Sequence, residues 1–185
     1  MGCPKSGKKS YIQKLNASTQ NSTASNSAYL TTDCARRSYQ SRRLQKEVKL
    51  RLWCQTTQEQ QFTTRMYREA CAVIYMFDLQ DEMADVKNRL NAKMEELEKQ
   101  CGNLMFKVLV GNKSDCQQQR RISREQAQEL RENAQMNLFI EMSVVRNHDT
   151  EQVMERIKQA IERANARSNT RNTHSLLSFS DSRLG

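Results

Sequence analysis

The period of apolar and polar positions changes several times along the chain, and each change predicts an element. In EVKLRLW (47–53) apolar and polar residues alternate, the period of a strand with one buried face. CAVIYMF (71–77), MFKVLVG (105–111) and NLFIEMS (137–143) are short apolar runs, and runs of this length rich in Val and Ile predict buried strands. ARRSYQSRRL (35–44) predicts a basic edge strand. Between these runs, Met83, Val86, Leu90, Met94 and Leu97 recur at helical steps, as do Val153, Ile157 and Ile161, so each set forms a stripe on one helix face. Arg124 to Ala134 predicts a shorter helix, with Ser123 as N-cap and Gln126 completing a capping box. Residues 9–16 predict a short helix, and the Ser/Thr/Asn-rich run from Asn16 to Ala28 predicts a loop. Strands alternating with helices give an α/β fold, a mostly parallel sheet with helices on both faces. The pattern stops near Arg167, so 1–166 is expected to form one domain and 167–185 a disordered tail.

Composition narrows the setting. The chain has 185 residues, 37% hydrophobic and 28% charged, enough for one domain with a real core. It has no apolar run near the roughly 18 residues of a membrane-spanning helix and no apolar stretch near Met1 resembling a signal peptide. A cytoplasmic location is expected, with peripheral attachment to a membrane as an option. Cys3, Cys34, Cys54, Cys71, Cys101 and Cys116 form no C-x-x-C pair and there are two histidines, so no metal ligands are assigned and free thiols are expected.

Charge is uneven. Residues 1–52 hold eleven Lys and Arg against Asp33 and Glu47, so they carry the whole net charge of +9. Such a segment is either a solvated face with a charge-protected edge strand or a surface drawn to anionic lipid or nucleic acid. Tyr39 is the one aromatic in the basic run ARRSYQSRRL (35–44). Base stacking is therefore unsupported, and no nucleic-acid partner is expected.

The opening MGCPKSGKKS fits two patterns. Gly2, Gly7 and Lys8 have the spacing of a phosphate loop, with Lys9 where Ser or Thr belongs. Gly2 and Ser6 also fit an N-myristoylation signal, to which Cys3 and the lysines 5, 8 and 9 would add the second signal that one acyl chain needs. In parallel α/β sheets ligands bind beyond the carboxyl ends of the strands. There lie GNKSD, after the 105–111 strand, and WCQTTQE, around the end of the 47–53 strand. Asn, Ser and Asp are ordinary turn residues too.

Taken together, these stretches resemble the small GTPases of the Ras superfamily, most closely the Rab family. VKLRLWCQTTQEQQFTTRMYREACAVIYMFD looks like a Rab stretch from the third strand through the second switch into the fourth strand. VLVGNKSD looks like the guanine-specificity strand and loop, and RRISREQAQELRENAQMNLFIEMS like the helix and strand after it. The resemblance covers about Gly2 to Ala164. It implies a Ras-like P-loop fold with the first strand missing, since the loop follows Met1 directly, and it implies GTP or GDP as ligand.

By resemblance, Gly2, Lys5, Ser6, Gly7, Lys8, Lys9 and Ser10 form the phosphate loop and its helix start. Asp115 accepts from the guanine ring NH and amine, Asn112 ties loops together, and the Lys113 stem covers the base. Ser143, Val144 and Val145 stand where the family has Ser-Ala-Lys, with the Val144 NH still available. Thr32 matches the first-switch threonine. Thr57 replaces the glycine whose NH meets the γ-phosphate, and Gln58 keeps the position that orients the attacking water. Lys9 and Cys54 replace the hydroxyl and the carboxylate that serve Mg2+, so weak use of the ion is expected. No cysteine follows Cys116 in this sequence, so the family's prenyl anchor is not expected. Two functional classes remain: a GTP-dependent switch that recruits trafficking effectors or regulators and hydrolyses slowly, and a pseudo-GTPase interaction module without nucleotide chemistry.

Overall fold

Successive side chains of a strand point to opposite faces, and in β3 (Ala72–Asp78) this sorts the core into two layers. Val73, Tyr75 and Phe77 enter one apolar cluster, while Met76 enters the other with Ala72 and Ile74 packed against it. The computed structural model describes residues 5–19, 34–41, 46–53, 70–101 and 106–169. Chain order is α1 (Lys8–Thr19), β1 (Cys34–Ser41), β2 (Lys46–Trp53), β3, α2 (Met83–Cys101), β4 (Phe106–Asn112), a 3-10 turn (Gln117–Gln119), α3 (Arg124–Asn133), β5 (Leu138–Glu141) and α4 (Asn147–Asn169).

Strands β3, β4 and β5 are neighbours in that order and all parallel, with Asp78 opposite Asn112 and Val110 opposite Ile140. One face is covered by Val86, Leu90, Met94 and Leu97 of α2 and by Ala127 and Leu130 of α3. The other is covered by Tyr11, Ile12 and Leu15 of α1 and by Val153, Met154, Ile157 and Ile161 of α4. Leu90 and Leu109 are fully buried; such a side chain contributes about 1.5–3 kcal/mol relative to exposure. This is the predicted α/β arrangement, helices on both faces of a parallel sheet.

Strands β1 and β2 form a separate antiparallel pair, with Ala35 opposite Leu52 and Tyr39 opposite Val48. Among the described residues they share no ladder with β3. The Tyr39 hydroxyl donates to Glu162 of α4 at 3.1 Å, and the Lys158 ammonium lies 4.7 Å from the ring centroid. Burial, and then the acceptor Glu162, raise the pKa of this phenol above its usual range, so it stays a donor that ties the hairpin to α4.

The capping box forms as predicted: the Ser123 Oγ accepts from the Gln126 NH at 3.2 Å, and the Gln126 side chain accepts from the Ser123 NH at 2.8 Å. Two boundaries differ from expectation. Helix α1 continues through Asn16 to Thr19, where a loop is predicted. Once Tyr11, Ile12 and Leu15 are buried, adding a further turn fixes one residue per hydrogen bond, and poor helix formers are carried along. Helix α4 likewise runs to Asn169, past the expected domain end at 166. The rest of the predicted tail, the remainder of the 16–28 loop and the end of the 35–44 strand lie outside the described residues. So does the chain ahead of Lys5, on which the expectation of a missing first strand turns. No helix among the described residues is long and apolar enough to cross a membrane.

Candidate functional site

At the carboxyl ends of β4 and β5 the chain makes turns that lock onto one another. The Met142 NH donates to the Gly111 carbonyl at 2.9 Å, and the Ser114 NH to the Met142 carbonyl at 3.1 Å. Asn112, the last residue of β4, is 3% exposed. Its Nδ2 donates to the Ser6 carbonyl at 2.8 Å, and its Oδ1 accepts from the Val144 NH at 3.0 Å. One side chain thus joins the loop before α1, the turn after β4 and the turn after β5.

The loop before α1 is shaped to permit this. Gly7 has φ 89°, a region that side chains disfavour. A Cβ there would lie 2.3 Å from the Asn112 Nδ2, so the close approach needs a glycine. Lys5 (φ 56°) and Lys113 (φ 65°) also adopt left-handed backbone, and for residues with a Cβ this stores strain, a common property of ligand loops. The Lys8 ammonium donates to the Ser6 Oγ at 3.2 Å. Lys9 and Ser10, in the first turn of α1, are exposed.

Beyond Asn112, the Lys113 ammonium pairs with the Oδ2 of Asp78. Asp115 presents a carboxylate whose Oδ2 accepts from the Cys116 thiol at 3.4 Å. Asp115 is half-buried, and its Oδ1 completes no hydrogen bond among the described residues. The Ser143 hydroxyl holds this carboxyl below the usual carboxylate range. An ionised carboxylate with one oxygen left over in this way can take a further donor from water or from a ligand. In the turn after β5, the Ser143 NH donates to Asp149 Oδ2 at 3.0 Å and the Val145 NH to the Ser143 Oγ at 3.2 Å. Val144 is buried, whereas Val145 is 77% exposed and its carbonyl accepts from Lys14 at 2.7 Å.

The structure therefore gathers Ser6, Gly7, Lys8, Asn112, Lys113, Asp115, Ser143, Val144 and Val145 into one region. Gly2, Thr32, Cys54, Thr57 and Gln58 lie outside the described residues. Sequence reasoning missed Asp78 and Asp149. The signal for Asp78 was a charge closing the apolar run AVIYMFD, and for Asp149 an acid in the first turn of a helix.

Residues 2–163 match the family model described as "Ras family". Curated relatives include the GTP-binding protein ypt2 of Schizosaccharomyces pombe, 30% identical over 69% of this chain and 66% of that protein. Ras-related protein RabC of Dictyostelium discoideum is 34% identical over 62% of this chain and 58% of its own length. The human Ras-related protein Rab-30 is 32% identical over 58% and 52%. The chain thus spans part of each relative, between about half and two thirds of its length. With the match to residues 2–163 and a parallel sheet covered by helices on both faces, this chain belongs to the Ras family, as a Rab-like small GTPase of the Ras superfamily.

Proposed function

We propose that the protein binds GTP or GDP as a switch in intracellular membrane trafficking, with weak use of Mg2+ and slow hydrolysis. The observation that carries this is the Asp115 carboxylate, ionised and with Oδ1 unpartnered, beside the Asn112 side chain that joins three loops. Guanine offers a ring NH and an exocyclic amine to such an acceptor, and adenine lacks that pair; a site left with an unpaired charge rejects the wrong base. Lys113 supplies its stem beside the base. Lys5, Ser6, Gly7, Lys8, Lys9 and Ser10, with Gly2, serve the phosphates through backbone NH groups and ammonium charge at the α1 N-terminus. Ser143 to Val145 close the base side; by resemblance Thr32 is the first-switch threonine that closes on Mg2+, and Thr57 stands in for the glycine that senses the γ-phosphate. Gln58 orients the attacking water.

The residues of the described loop support weak use of Mg2+ on this reading. The ion requires hard oxygen ligands in near-octahedral array, whereas Lys9 presents an exposed residue of like charge and the Ser6 hydroxyl is engaged by Lys8. Partners on this reading are trafficking effectors or regulators, with anionic membrane meeting the basic N-terminal part and no nucleic acid. Work is expected in the cytoplasm and at a membrane surface.

Lys9 also favours a second reading, a pseudo-GTPase interaction module that keeps the fold and does no nucleotide chemistry. Mass spectrometry of nucleotide released from purified protein separates the two. Stoichiometric GDP or GTP supports the switch; purified protein that is empty, and stays empty after incubation with GDP, overturns it.

A further inference from the structure

Asp78 closes β3 and is 5% exposed. Burying a carboxylate is costly unless it is paired and hydrogen-bonded, and here both oxygens are used. Oδ1 accepts from the Gln80 NH at 2.9 Å, and Oδ2 holds the Lys113 ammonium. The acid itself sits in the ladder opposite Asn112, so it is fixed by a rigid element. Lys113 would otherwise be a long side chain with much rotamer freedom. Instead it is held at its backbone by a left-handed turn (φ 65°) and at its tip by Asp78. Two residues on, Asp115 offers the unpartnered Oδ1.

We infer that Asp78 is a positioning residue for base binding: it holds the Lys113 stem as a preformed apolar shelf beside the Asp115 acceptor, for a planar purine carrying NH donors. This rests on the nucleotide-binding reading above. The ligand class follows from the two surfaces together, methylene groups for a ring face and a carboxylate for donors on the ring edge. Without Asp78 the stem must be ordered at the moment of binding, and immobilising one such side chain weakens affinity by about 3- to 10-fold. A shelf serves any purine of that shape, so the loss is equal for GDP and IDP. Asp115, by contrast, reads the exocyclic amine that IDP lacks.

The test is equilibrium binding of a fluorescent GDP analogue, with IDP in competition, to the full chain and its Asp78→Asn, Lys113→Met and double variants. Expected is a loss of about 3- to 10-fold for Asp78→Asn, a GDP/IDP ratio unchanged, and no further loss from Asp78→Asn in the Lys113→Met background. A loss of equal size in both backgrounds marks a structural role and overturns the inference, as does wild-type affinity in Asp78→Asn. Asp78→Glu keeps the charge and should recover part of the loss; if Asp78→Asn does not fold, the same comparison is made with Asp78→Glu, and equal effects in the two backgrounds again refute it. If the unaltered protein binds no guanine nucleotide, the nucleotide reading itself fails and this inference falls with it.

Discussion

Gly7→Ala tests how tightly the loop before α1 is fitted to Asn112. The new Cβ would lie 2.3 Å from the Asn112 Nδ2 and 3.6 Å from the Val144 Cγ2, at a backbone φ of 89°. Left-handed backbone costs a residue with a Cβ about 1–2 kcal/mol. The end of a flexible side chain moves aside cheaply, but this amide is 3% exposed and holds two hydrogen bonds. Displacing it leaves buried groups unsatisfied at about 1–3 kcal/mol. Together these give about 3 kcal/mol, which for a chain of this length lowers Tm by roughly 6–12 °C. The two contributions are separated by a thermal-melt cycle of Gly7→Ala, Asn112→Ala and the double variant, all in ligand-free protein. With the amide gone there is nothing to displace, so Gly7→Ala should then cost only the backbone strain, and the double variant should be more stable than the sum predicts by about 1–3 kcal/mol. Additivity within about 0.5 kcal/mol, or a Gly7→Ala shift below about 2 °C, refutes the close-fit argument.

Asp115→Ala should abolish guanine-nucleotide binding, while EDTA should change affinity little; a strong loss of binding in EDTA would contradict the weak use of Mg2+. Hydrolysis should be very slow, and Lys9→Ser, Cys54→Asp and Thr57→Gly together should accelerate single turnover; an unchanged rate would show that these three positions do not limit the chemistry. The folded pKa of Asp115 lies below its unfolded value, first through the Ser143 hydroxyl. Its contribution to stability is therefore complete above the ordinary carboxylate range and is lost as pH falls through the folded value. Ser143→Ala should flatten the acid side of the stability profile, and an unaltered acid limb would remove Ser143 as the cause.

Much of the scaffold was legible because burial leaves a local trace. Val/Ile-rich runs can only be hidden between helix layers, and the stripe Met83–Val86–Leu90–Met94–Leu97 matches the face that α2 turns to β3 and β4. Ser123 and Gln126 were legible because a capping box is closed within a few residues. The extension of α1 was not, because Asn16 to Thr19 carries no apolar period and follows only from helix propagation. Asp78 was invisible for a different reason. An acid at the end of a strand is unremarkable until the parallel ladder sets it opposite Asn112 and so beside Lys113, which the sequence places in another segment. The spacing of Gly7 could be read, but its necessity could not, since the clash is with a side chain on β4.

The site also separates two reasons for keeping a residue. Asn112 satisfies the Ser6 carbonyl and the Val144 NH in the protein alone, so an interaction module needs it as much as a nucleotide switch does: removing it leaves buried backbone groups unpaired. Gly7 follows Asn112 for the same reason. Neither residue discriminates between the two functions. Asp115 bears on that choice more closely, because its Oδ1 completes no hydrogen bond within the protein among the described residues. Asp81 Oδ2 and Thr150 Oγ1 also complete no hydrogen bond among the described residues, so the leftover oxygen of Asp115 speaks for a ligand only together with its place beyond the carboxyl ends of β4 and β5. The weight of the nucleotide reading therefore rests on one carboxylate oxygen more than on the intact Asn-Lys-x-Asp spacing, and the release of bound nucleotide from purified protein is the measurement that bears on it most directly.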